Sequence, residues 1–178
     1  MTFYGARDLA AAFRTVRGNT LTIASELTEE QYGFSPATGS RTAGQVLTHI
    51  ALGSKFQEII HMEKRNNFDG MDFPALFANM AAEEQKPRTK AEIIALLKEN
   101  NDHFSNWLET VSDDFLAEPV GMPAGASPAS KTRFEMLLGV KEHEMHHRGQ
   151  LMLIQRMLGG TPHLTRQMTE RMAAMRQK

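Results

Sequence analysis

Apolar residues recur at spacings of three and four along four stretches of the chain, separated by intervals rich in glycine and proline. Leu9, Phe13, Val16, Thr20, Ile23 and Leu27 predict a first helix from about Arg7 to Leu27. Gly18 costs that helix some stability without breaking it. Thr42 and Gln45 have the spacing of a capping box, so a second helix is predicted to begin at Thr42. At about 100° per residue, Val46, His49, Gly53, Phe56 and Ile60 share one sector of roughly 80°, with Glu58 on the far side. Thr89 and Glu92 open a third helix to about Val111, with Ile93, Leu97, Phe104 and Leu108 facing inward. Thr132 and Glu135 open a fourth, which glycines at 159 and 160 should stop. Thr161 and Pro162 then read as an N-cap and N1 proline of a short terminal helix whose apolar edge is Leu164, Met168, Met172 and Met175.

The intervals read as connections. Thr28 to Arg41 contains Gly33, Pro36 and Gly39, with Tyr32 and Phe34 placed to anchor it. Residues 66–88 contain Gly70, Pro74 and Pro87 and leave room for a short helix over Pro74–Met80. A connection of that length is either a lid or substrate wall, or a loop packed by its own phenylalanines. Ser112 to Lys131 holds Pro119, Gly121, Pro123, Gly125 and Pro128 and reads as loop. With no strand pattern and no repeat, the expected fold is all-α: a four-helix bundle with a short additional C-terminal helix, in one domain over residues 1–178. The long connections permit topologies other than simple up-and-down.

Composition narrows the chemistry. Lys plus Arg number 20 and Asp plus Glu 21, so no basic footprint marks the chain for nucleic acid. No apolar run approaches the roughly 20 residues of a membrane span, and the N-terminus lacks the pattern of a signal peptide, so a cytoplasmic protein is expected. Cysteine is absent, which excludes disulfides, thiolate metal sites and a cysteine nucleophile. Any thiol must come with a substrate. Most of the 12 methionines are expected to fill the core.

The fourth helix carries the chemistry. His143 and His147 are one turn apart, and Met136, Val140, Leu151, Ile154 and Leu158 fall within roughly 80° of His143. A polar ring on an apolar face must regain its lost hydration from a hydrogen-bond partner or a metal. Either account serves the pair alone. His49 lies on the apolar stripe of the second helix, and Gly53 one turn later leaves room beside it. If those helices are neighbours, His49, His143 and His147 form a three-histidine site with an open position, as catalytic rather than structural zinc requires. Imidazole ligands do not choose among first-row ions. His61 falls off the stripe and reads as a surface or boundary residue, and His103 lacks a partner at ligand spacing. The segment from His143 to His147 also matches His-Glu-x-x-His, in which the glutamate serves as base in metalloproteases. The longer metzincin pattern fails at Gly149, and no strand region accompanies the motif. Glu144 is therefore read either as a base or, preferably, as a solvent-facing residue.

Thr42-Ala-Gly-Gln-Val-Leu-Thr-His49 and His143-Glu-Met-His-His147-Arg-Gly-Gln150 resemble segments of the DinB/YfiT-like superfamily. The resemblance covers most of the chain and is most specific in the second segment. It implies a four-helix bundle, often dimeric, with His49, His143 and His147 as the metal triad and one divalent ion, zinc or nickel, per chain. It also implies a metal-dependent enzyme acting on a small molecule, with low-molecular-weight-thiol S-transfer as the leading reaction. The metal would lower the pKa of the thiol and present it as thiolate. The alternatives are a metal-dependent hydrolase using metal-bound water and a non-catalytic metal-binding stress-response module. Gln150, close to His143 in angle, either orients substrate or bonds within the helix. Arg148 is expected in a surface or interface ion pair. The Met-rich terminal helix suggests a homodimer.

Overall fold

Three threonines set the starts of three bundle helices. Thr42, Thr89 and Thr132 each accept the backbone amide of the residue three positions on, while the side chains of Gln45, Glu92 and Glu135 return to the threonine backbone. The computed structural model describes residues 4–176. The order is α1 (Ala6–Glu26), a 3-10 turn (Glu30–Gly33), α2 (Ala43–Leu52), α3 (Lys55–Met62), α4 (Phe73–Glu84), α5 (Lys90–Thr110), α6 (Asp113–Ala117), β1 (Pro119–Gly121), β2 (Ser130–Thr132), α7 (Arg133–Met157) and α8 (His163–Met175).

The bundle consists of α1, α2 continued by α3, α5 and α7. Both α5 and α7 pack against α1 and α2, which face each other across the diagonal. Two apolar clusters fill it. Ile23, Leu47, Ile50, Leu97 and Leu151 form one; Leu9, Phe13, Phe104, Leu108 and Leu137 form the other. Each such side chain contributes about 1.5–3 kcal/mol on burial. Between the clusters α1 places Arg17, 1% exposed, which reaches all three other helices. Its Nε donates to Glu144 of α7 at 2.9 Å, Nη1 to the Leu97 carbonyl at 2.7 Å and Nη2 to the Ile50 carbonyl at 3.3 Å.

Several expectations are corrected. The second helix is two helices, broken at Gly53 and Ser54. At the break the Ile50 carbonyl accepts from the Gly53 backbone at 3.2 Å and from Arg17, and the Ala51 carbonyl accepts from Asn100 at 2.9 Å. Past the break the projected stripe still holds for Phe56 and Ile60, which pack in an apolar cluster, but it misplaces Glu58 and His61. His61 is fully buried, not at the surface. Its Nδ1 accepts from Arg133 at 3.3 Å and its Nε2 donates to Gln57 at 2.9 Å. Glu58 is buried as well, accepting from Ser54 at 2.6 Å. The 66–88 connection contains a helix longer than Pro74–Met80, running over Phe73–Glu84, because Asp72 caps it at Ala75 and Pro74 fits within its first turn. The interval after α5 is not all loop: it holds α6 and an antiparallel pair in which Val120 faces Lys131. Strands of three residues are too short to show an alternating pattern. The terminal helix begins one residue late, with Pro162 rather than Thr161 as its cap. Among the described residues no helix is long and apolar enough to cross a membrane.

A third cluster holds the site's surroundings in place. Ile60, Phe68, Val120 and Met136 pack with Phe56, Phe73 and Met122, fastening the 66–88 connection and the strand pair to α3 and α7.

Candidate metal centre

His49 lies in the last turns of α2, and His143 and His147 stand one turn apart on α7. Because α2 and α7 are neighbours, the three rings converge. Their centroids lie 4.9 Å (His49 to His143), 4.6 Å (His49 to His147) and 4.6 Å (His143 to His147) apart. One nitrogen from each falls within 4.8 Å of the others, a group able to hold a metal ion. The Nε2 atoms of His49 and His143 are 3.0 Å apart. Nitrogens bound to one tetrahedral ion lie about 3.3 Å apart.

Hydrogen-bond partners assign the tautomers. His49 Nδ1 meets the Glu84 carboxylate at 2.9 Å, and a carboxylate only accepts, so Nδ1 carries the proton and Nε2 a lone pair. His147 Nδ1 likewise donates to Gln150 Oε1 at 2.9 Å. Both Nε2 lone pairs point inward, as ligation requires. His143 differs. Its Nε2 faces the His49 lone pair and therefore carries the proton, while its Nδ1 has no hydrogen-bond partner among the described residues. Burial, then the neighbouring His147 and His49, pushes the His143 pKa down to about 4. Burial also lowers that of His147, against the opposing effect of Gln150. For Glu84, burial alone would raise the pKa, but hydrogen bonds from Arg41 and His49 hold it below the usual carboxylate range. The site is thus a set of imidazoles backed by an ionised carboxylate, a donor set that fits a divalent first-row cation.

Glu144 plays neither role given to it. It is 2% exposed and faces the bundle interior, where both carboxylate oxygens lie within 3.0 Å of Arg17 Nε and one accepts from Thr20 at 2.6 Å. It stands between the two histidines in sequence but points away from them, so it is neither solvent-facing nor placed as a base at the triad. Arg148 is half-buried rather than at the surface, and its Nε has no partner among the described residues. His146 is exposed and accepts from Gln150 Nε2 at 3.3 Å, while His103 is exposed beside Glu58 at 3.7 Å. Neither joins the triad. The sequence reading did not find Glu84 or Arg41. Glu84 ends α4, in a segment whose position depends on tertiary packing, and no spacing links it to His49.

Cavities border the triad on several sides: one of about 310 Å³ touches both His49 and His143, beside Gly53, Phe77 and Glu84, and two larger ones reach single histidines. Of the larger two, one, about 470 Å³, is walled by Gly53, Phe56, Phe68, Phe73, Met122 and Met136 and reaches His143. The other, about 520 Å³, reaches His147 and carries Arg41, Glu84, Gln85 and Gln150.

The sequence matches the DinB superfamily over residues 12–151. No match was found among curated proteins. Among solved structures, a DinB-like protein from Bacillus subtilis is 22% identical with a TM-score of 0.63, covering 86% of this chain and 92% of its own. YfiT from Bacillus subtilis, described as a probable metal-dependent hydrolase with an unusual four-helix bundle topology, is 16% identical with a TM-score of 0.66, covering 88% and 89%. The colibactin self-resistance protein ClbS, solved with double-stranded DNA, is 14% identical with a TM-score of 0.64, covering 87% and 98%. The match over residues 12–151, most of the chain, establishes that this chain belongs to the DinB superfamily.

Proposed function

We propose that the chain is a metal-dependent enzyme that holds one divalent ion, zinc or nickel, on His49, His143 and His147 and transfers a low-molecular-weight thiol to a small-molecule electrophile. The observation that carries the metal site is the convergence of three imidazoles with two of the outer nitrogens already donating to Glu84 and Gln150. A bound divalent ion supplies Lewis acidity, which lowers the pKa of a thiol brought to it. The chain's own residues do the rest. Glu84 and Gln150 hold His49 and His147 in the ligand tautomer, and Arg41 keeps Glu84 ionised.

Cavities that border the triad at His143 and at His147 leave room for two organic reactants, which supports thiol transfer. The absence of cysteine fits a thiol that arrives with its substrate. The hydrolase reading, which the description of YfiT favours, loses the base that the His-Glu-x-x-His spacing offered, since Glu144 is committed to Arg17. A net charge of −1 supports a small molecule over nucleic acid as partner. Exposed Leu153, Met157, Met168, Met172 and Met175 on α7 and α8 support a homodimer, and the cytoplasm is the proposed location.

The test is elemental analysis of untagged protein and the His143→Ala and His147→Ala variants, followed by assays with glutathione, bacillithiol or mycothiol and an activated aryl halide. Stoichiometric metal lost in both variants, with thiol-dependent conjugation, supports the reading. Ester turnover without thiol replaces it with hydrolysis, and metal without either turnover leaves a binding module.

A further inference from the structure

His143 is the asymmetric member of the triad. The Nδ1 atoms of His49 and His147 are occupied by protein groups, whereas that of His143 has no partner among the described residues. It points at Gly53, where an added Cβ would stand 3.0 Å from Nδ1. Gly53 has ordinary helical angles, φ −61° and ψ −24°, so the backbone does not demand glycine there. What glycine provides is the open space between the imidazole and the cavity of about 470 Å³.

The cavity walls are mainly apolar and aromatic, with Gln57, Lys131, Glu135 and Glu142 also on the lining. Phe56 and Phe68 lie nearly parallel, 8° apart with centroids at 5.9 Å, and Phe73 is 5.7 Å from Phe68. Met122 and Met136 also line it beside Gly53. Aromatic rings and thioethers favour an apolar, preferably aromatic guest. The volume falls in the range of small-molecule pockets.

We propose that this cavity receives the aromatic body of the substrate and that His143 Nδ1–H donates to an acceptor oxygen on it, so that the substrate class is an aromatic compound bearing a carbonyl-type oxygen. The inference rests on the triad being a metal site. A cation taking the Nε2 lone pairs of all three rings obliges neutral His143 to carry its proton on Nδ1, which turns that atom into a donor facing Gly53. His143 then ligates with one nitrogen and orients substrate with the other.

The test uses the zinc-loaded chain with 2-acetylnaphthalene as probe and 2-butanone as the control lacking the ring. Binding is read by titration calorimetry, the His143 Nδ1–H by nitrogen-detected NMR of histidine-labelled protein, and zinc by elemental analysis. Zinc loading is expected to move the proton of His143 to Nδ1, and 2-acetylnaphthalene to shift that resonance while binding well ahead of 2-butanone. Phe56→Ala and Phe73→Ala should each weaken the probe by about tenfold with zinc content unchanged. Gly53→Ala should reduce probe binding further by crowding the imidazole, and circular dichroism checks the fold of each variant. Stoichiometric zinc with no preference for the aromatic probe, no effect of either phenylalanine, or an unperturbed Nδ1–H overturns this inference and leaves the metal site standing. No zinc uptake by the wild type overturns both.

Discussion

The Glu84 carboxylate accepts a 2.9 Å hydrogen bond from His49 Nδ1 and also pairs with Arg41, so the end of α4 fixes the orientation of a ring on α2. Partners of this kind orient the imidazole and raise its basicity as a ligand. Glu84→Ala is expected to weaken metal affinity by about 10–100-fold with little change in helicity. Glu84→Gln, which keeps an accepting oxygen, should lose less. Competition against a chromophoric chelator measures both, and unchanged affinity in Glu84→Ala would show that the contact is incidental.

Arg17 and Glu144 form a buried pair at the centre of the bundle. Glu144→Ala strands a buried guanidinium and should cost about 3–5 kcal/mol in denaturant unfolding. Glu144→Gln keeps oxygen for Arg17 and Thr20 and should retain both metal and turnover. A folded, metal-loaded Glu144→Gln protein without turnover would return the glutamate to a chemical role.

Burial, with Arg133 beside it, pushes the His61 pKa down to about 4 from an unfolded value near 6.5. The unfolded chain then binds more protons than the folded one between those values. Stability contributed by keeping His61 neutral is present above about pH 6.5 and lost as pH falls towards 4, by roughly 3 kcal/mol in all. Urea unfolding at several pH values should show a shallower acid decline in His61→Gln than in the wild type. Parallel declines would place the acid sensitivity elsewhere.

Metal that binds only the folded chain stabilises it by mass action. At about 100 times the dissociation constant the gain is about 2.7 kcal/mol, a rise in Tm of roughly 5–10 °C for a chain of this length. Thermal scans with and without chelator should show it in the wild type and not in His49→Ala, His143→Ala or His147→Ala. A metal-dependent shift surviving in all three variants would place the bound ion outside the triad.

Some of this protein is written in local sequence. Capping boxes at Thr42, Thr89 and Thr132 and the spacing of Leu9 to Leu27, Ile93 to Leu108 and Met136 to Ile154 mark the bundle helices. They do so because capping and amphipathic periodicity act over a few residues. The pairing of His143 with His147 is legible for the same reason, since one helical turn joins them.

Tertiary packing decided what spans separate elements. It set α2 beside α7, so that His49 meets a pair 94 positions away, and it brought Glu84 to His49 from a connection. It turned Glu144 inward, because Arg17 at the bundle centre needs a counter-charge where water is excluded. It buried His61 against Arg133, a partner 72 positions away on α7. Periodicity assigns a residue to a face of its own helix; the element that face meets depends on how the helices pack.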